Sequence, residues 1–166
     1  MNGVKPSISP SMDIQISSNF ERALFDAYGR DGKAVAALMD EMKGKGGFGV
    51  SQGALQWLRE TFTSGRVSED ETSEEIRVEK AASGELLCPH SAVGVKVAKD
   101  QLGSVPMITL ATAHPAKFPD AVEAATGIRP GLPPRMADLF DRSERVTRVA
   151  NDLKAIETIV QERRRT

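Results

Sequence analysis

The chain has 166 residues, with 22 Lys+Arg against 23 Asp+Glu, two His and one Cys. That length fits one domain able to bury a core, and 40% apolar with 27% charged residues is ordinary for a soluble globular protein. The lone Cys88 excludes an intramolecular disulfide and a Cys-based zinc site, and His90 and His114 alone cannot build a His-rich metal centre. A net charge of −1 gives no overall pull toward nucleic acid or anionic membrane. No apolar run approaches the roughly 20 residues of a membrane helix, and MNGVKPSISP has no signal-like core. The expectation is a reduced, cytoplasmic protein with no metal, nucleic-acid or membrane partner.

In chain order, residues 4–16 contain Pro6 and Pro10. They leave room for at most two short strands, near Ile8 and over Met12 to Ile14. Ser17, Ser18 and Asn19 offer an N-cap to a helix with Phe20, Leu24, Phe25 and Tyr28 on one face. Gly29 and Gly32 interrupt, and Val35, Leu38, Met39 and Met42 form a second face. GKGGFG, with four glycines in six residues, ends it as a flexible loop. Ser51 starts a helix bearing Leu55, Leu58 and Phe62, closed by Gly65. Ser68 and Glu71 match a capping box opening a charged, mostly exposed helix through Ile76 to Ala82.

Glu85 to Leu87 is a short strand candidate, followed by a helix over Ser91 to Leu102 with Val93 and Val97 inward. Val105 to Ala111 (VPMITLA) is the best strand candidate, a continuous β-branched run of the kind found in buried parallel sheets. Strand, helix, strand makes an α/β unit the expected fold class. Pro119 can open a helix carrying Val122 and Ala125, with Gly127 as its stop. GIRPGLPP connects it to an amphipathic tail helix with Val146, Val149, Leu153, Ile156 and Val160, whose basic end at Arg163 to Arg165 suits a helix C-terminus. No domain boundary is expected within 1–166. Two to four strands among about six helices are too few for a buried parallel sheet, so either the sheet is very small or its other strands lie in another segment.

Three polar stretches stand beside strand candidates, where α/β sheets bind ligands. They are Ser9 to Ile14 with Ser17 to Arg22, Cys88 to Gly94, and Thr112 to Phe118. Thr112 can bond a ring nitrogen or a phosphate, His114 can act as acid, base or donor, and Lys117 suits an anionic substrate. The bland alternative has Thr112 capping the next segment, His114 on a backbone carbonyl and Lys117 solvated. Cys88 and His90 lack the third, orienting group of a nucleophile pair. An N-cap role for Ser91, with His90 bonded locally, is the simpler reading. The glycine loop lacks the Lys-Ser/Thr ending of a P-loop.

Together, SPSMDI, SSNFER, SGRVS, CPHSAVG and ATAHPAKF, in this order and at compatible spacing, resemble threonine synthase of the longer, bacterial and fungal type. The resemblance runs from about Ser7 to the tail helix. It implies the C-terminal part of a tryptophan-synthase-β-like (fold type II) pyridoxal 5'-phosphate (PLP) enzyme, helix-rich with a few parallel strands. The implied reaction is conversion of O-phospho-L-homoserine and water to L-threonine and phosphate. It further implies Thr112 as the hydroxyl partner of the PLP pyridine nitrogen. His114 and Lys117 are implied near the cofactor or the substrate phosphate, with catalytic roles, and Asp13, Asn19 and His90 on the substrate side. Two departures are large: the family's Ser-Phe-Lys-Asp type motif with the covalent lysine is absent, as is its PLP-phosphate loop. Cys88 also stands where many relatives carry an acid. The chain therefore reads as roughly the last third of the enzyme, its partner being the missing N-terminal part. Alone it is expected to be inactive. The alternative is a non-enzymatic fragment that keeps the fold to bind a partner; an uncovered VPMITLA face would favour association.

Overall fold

The computed structural model describes residues 5–15 and 17–164. Val4, Ile16 and Arg165, named in the sequence reading, lie outside them. Contacts group the chain into two units, residues up to Gly131 and residues from Leu132 onward.

The first unit is built from helices whose ends are set by local side-chain chemistry. α1 (Ser18–Ala27) begins at Ser17, whose hydroxyl accepts the Phe20 N–H. α2 (Gly32–Lys45) begins at Asp31, which accepts two N–H groups, and stops at Gly46, where φ is +74°. α3 (Gln52–Thr61) is capped by Ser51. Leu24, Val35 and Leu38 form the buried core of this trio, with Tyr28, Met39, Phe48, Val50 and Leu58 packed around them.

α4 (Glu69–Ser83) opens with the full Ser68/Glu71 capping box. It is less exposed than its charge suggests: Thr72, Glu75 and Ile76 are buried. α5 (Pro89–Lys99) and α6 (Pro119–Thr126) pack against it around Ile76, Ala92 and Val122. On α5 Ala92 is fully buried, whereas the expected inward residues Val93 and Val97 are only half-buried. Lys99 of α5 pairs with Glu75 and Glu79 of α4.

Among the described residues no strand is formed. The candidate at Met12 is a 3-10 turn (Pro10–Met12), and Ile8, Glu85 to Leu87 and Val105 to Ala111 have no strand partner. A strand requires a neighbour to take its N–H and C=O groups, and none of these segments meets one. Val105 is 75% exposed, Ile108 83% and Leu110 75%.

In the second unit, short 3-10 turns at Pro134–Met136 and Leu139–Asp141 precede α7 (Leu153–Arg163), capped by Asp152. Val146 and Val149 lie ahead of this helix, not on it. The described residues contain no helix long and apolar enough to cross a membrane.

Candidate functional site

Of the stretches singled out for chemistry, Ser9 to Ile14, Cys88 to Gly94 and Thr112 to Phe118 meet at the N-terminus of α5. Pro89 occupies the first helical turn, where its missing N–H costs nothing. The cap is Cys88 rather than Ser91: its sulfur accepts the Ser91 N–H at 3.4 Å. Ser91 points its hydroxyl back to that sulfur at 3.2 Å, and the same oxygen accepts the Thr112 N–H at 3.2 Å.

His90 is 5% exposed and is bonded non-locally. Its Nε2 accepts the Ser11 N–H at 3.0 Å, across 79 positions of sequence. The neutral ring then carries its proton on Nδ1, which is buried and has no hydrogen-bond partner among the described residues. The ring lies 4.7 Å from that of Phe118, centroid to centroid. Burial, and then the nearby Lys117 cation, hold its pKa below the ordinary histidine value; Asp13 opposes them. Asp13 itself is fixed by the Ser7 N–H and hydroxyl, each donating at 2.8 Å.

Asp13, His90, Thr112 and Lys117 therefore belong to one neighbourhood. His114 starts the Pro115–Lys117 turn, its Nδ1 accepting the Ala116 N–H at 3.1 Å. It is thus the cap that the bland alternative gave to Thr112, and it accepts from an amide instead of bonding a backbone carbonyl. Its ring, Lys117 and Thr112 are all exposed. Lys117 Nζ stands 5.9 Å from the centre of the Phe118 ring. Asn19 is not in this neighbourhood. It sits on α1, accepts from Arg22, and lines a groove of about 580 Å³ between α1 and α3 with Phe20, Leu55 and Arg59. Ser91 and Phe118 belong to the constellation, although the sequence reading gave Ser91 only an N-cap role and Phe118 none. Their positions inside CPHSAVG and ATAHPAKF were the available signal.

Residues 91–160 match the family model described as threonine synthase, C-terminal. Threonine synthase of Pseudomonas aeruginosa is 51% identical over 93% of this chain and 34% of its own length. That of Saccharomyces cerevisiae is 43% identical over 74% of this chain and 27% of its own length. Among solved structures, PLP-bound threonine synthase from Brucella melitensis superposes with a TM-score of 0.80 at 52% identity, over 98% of this chain and 35% of that one. Yeast threonine synthase gives 0.70 at 34% identity, over 98% and 37%. The chain spans about a third of the length of the relatives it matches. The fold is thus part of that of the fold type II PLP enzymes. Within that class the chain belongs to the threonine synthase family.

Proposed function

We propose that the whole chain is a single C-terminal segment of a threonine synthase catalytic domain and supplies the ring-nitrogen side of its cofactor site. The observation that carries this reading is Thr112. Its backbone is anchored on Ser91, while its exposed hydroxyl makes no hydrogen bond among the described residues. A hydroxyl so placed fits a neutral partner for a pyridine nitrogen. This chain carries no counterpart of the covalent lysine or the phosphate loop, so the fit extends to one contact. When bound, PLP supplies the electron sink for β,γ-replacement on O-phospho-L-homoserine.

The remaining residues have roles consistent with their surroundings. Lys117 is a solvated cation suited to the substrate phosphate. His114, with Nδ1 occupied by the Ala116 amide, presents a proton on Nε2 and is suited to donate it. Asp13 and His90 form the wall beneath, and Asn19 contributes from the α1–α3 groove on the substrate side. Val105 to Ala111 is the strand that pairs with the sheet of the complete enzyme, which accounts for its uncovered apolar side chains. The same exposure favours a second reading, a non-enzymatic fragment that binds a partner chain through this segment.

The test is complementation. The chain, PLP and the remaining part of a threonine synthase are mixed, and phosphate release from O-phospho-L-homoserine and the cofactor absorbance are followed. Activity is expected only on mixing, with Thr112→Val reducing turnover about 10- to 100-fold, the equivalent of one buried hydrogen bond to a charged or polarised group. Turnover by the chain alone, or an unaffected Thr112→Val mixture, would overturn the reading. Tight binding without activity would favour the second one.

A further inference from the structure

We propose that Ser91 is the positioning residue for Thr112, its hydroxyl oxygen fixing where the Thr112 side chain stands. The inference rests on the reading of Thr112 as the ring-nitrogen partner. Ser91 is 3% exposed, and its Oγ lies 3.2 Å from both the Thr112 nitrogen and the Cys88 sulfur. The sulfur already accepts the Ser91 N–H. If it also takes the hydroxyl proton, the oxygen lone pairs are left for the Thr112 N–H. In this chain alone, segment 105–112 has no ladder among the described residues, so there these contacts matter more than they would in a paired strand. A second contact lies one helical turn along α5: a Cβ built on Gly94 would stand 3.2 Å from the Thr109 methyl. Ser91 and Gly94 share a face of α5, and the segment comes close to that face at Thr112 and again at Thr109. Of the two, only the Ser91 bond acts on the residue that bears the functional hydroxyl.

The test begins on the full chain by amide exchange. Ser91→Ala should speed exchange of the Thr112 amide about tenfold, with Ile76 and Val122 methyl signals unchanged, and Ser91→Thr should restore protection. Equal Thr112 exchange in wild type and Ser91→Ala would overturn the proposal. In the complemented mixture, the cofactor absorbance of Ser91→Ala should move toward that of Thr112→Val and return in Ser91→Thr. A wild-type spectrum for Ser91→Ala beside a shifted Thr112→Val would also overturn it. If Thr112→Val itself leaves the spectrum unmoved, the ring-nitrogen reading falls, while the exchange result still decides whether Ser91 positions Thr112.

Discussion

His90 joins the N-terminal turn to α5 only while its Nε2 is an acceptor. Protonation would turn that atom into a donor facing the Ser11 N–H, so the bond exists for the neutral ring alone. Burial and Lys117 depress the folded-state pKa, against the pull of Asp13. A depressed histidine contributes stability that is complete above its unfolded value, about 6.5, and is lost as the pH falls from there through the folded value. The N-terminal turn should therefore loosen on acidification below about pH 6. Replacing Lys117 with Met removes one of the two depressing influences. An NMR titration of the His90 ring should then show its pKa raised in Lys117→Met. An unchanged titration would mean that Lys117 does not act on this ring. None of this was visible in the sequence. His90 looked like a locally bonded side chain because nothing in a linear reading brings Ser11 beside it. Cys88 was equally hard to see as a cap, since a thiol is a weak acceptor and hydroxyl or carboxylate caps are the usual expectation.

At the scale of elements, what could be read was what local chemistry decides. Ser17, Ser51 and Ser68 start helices and Gly127 ends one because each acts on backbone groups within a few residues of itself. Strands are decided elsewhere. Val105 to Ala111 has the composition of a buried strand, and yet among the described residues it meets no strand to pair with. Packing of the α3–α4 connection against α5 gives a sharper test. A Cβ at Gly65 would fall 2.8 Å from both γ-methyls of Val97 on α5. Because Val97 is β-branched it cannot swing aside, so Gly65→Ala should destabilise the fold by about 1–3 kcal/mol. The Gly65→Ala, Val97→Ala pair should recover part of that loss in a double-mutant cycle read by thermal denaturation. Strict additivity would show that the two positions do not press on one another.

For the molecule as a whole, the balance of covered and uncovered apolar surface decides its behaviour. Leu24, Ile76 and Val122 are fully buried, while Val105, Met107, Ile108 and Leu110 are between 47% and 83% exposed. Such a patch drives association. The chain alone should self-associate as its concentration rises, and Ile108→Asp should suppress this in analytical ultracentrifugation. A monomer at all concentrations would show that the patch is harmless. A complementing N-terminal part that covers it should raise the unfolding free energy by about 2.7 kcal/mol at 100 times its dissociation constant. Family membership was legible in motif order, and the clustering of CPHSAVG, SPSMDI and ATAHPAKF gives that order a spatial meaning. The separate place of Asn19 was not legible, because neighbouring motifs on one line need not be neighbours in space.

The Ser11–His90 bond also bears on the order in which the chain comes together. Helices within each trio are joined by connections far shorter than the span from Ser11 to His90, so their loops close at lower cost. The link from Ser11 to His90 spans 79 positions and has little to offset that closure until both trios exist. The N-terminal turn is therefore expected to fasten late, after the helices it joins, an order that hydrogen exchange during refolding would check. Until it closes, the Nε2 of His90 on α5 lacks its Ser11 partner, and the neighbourhood of Thr112 lacks the Asp13 side.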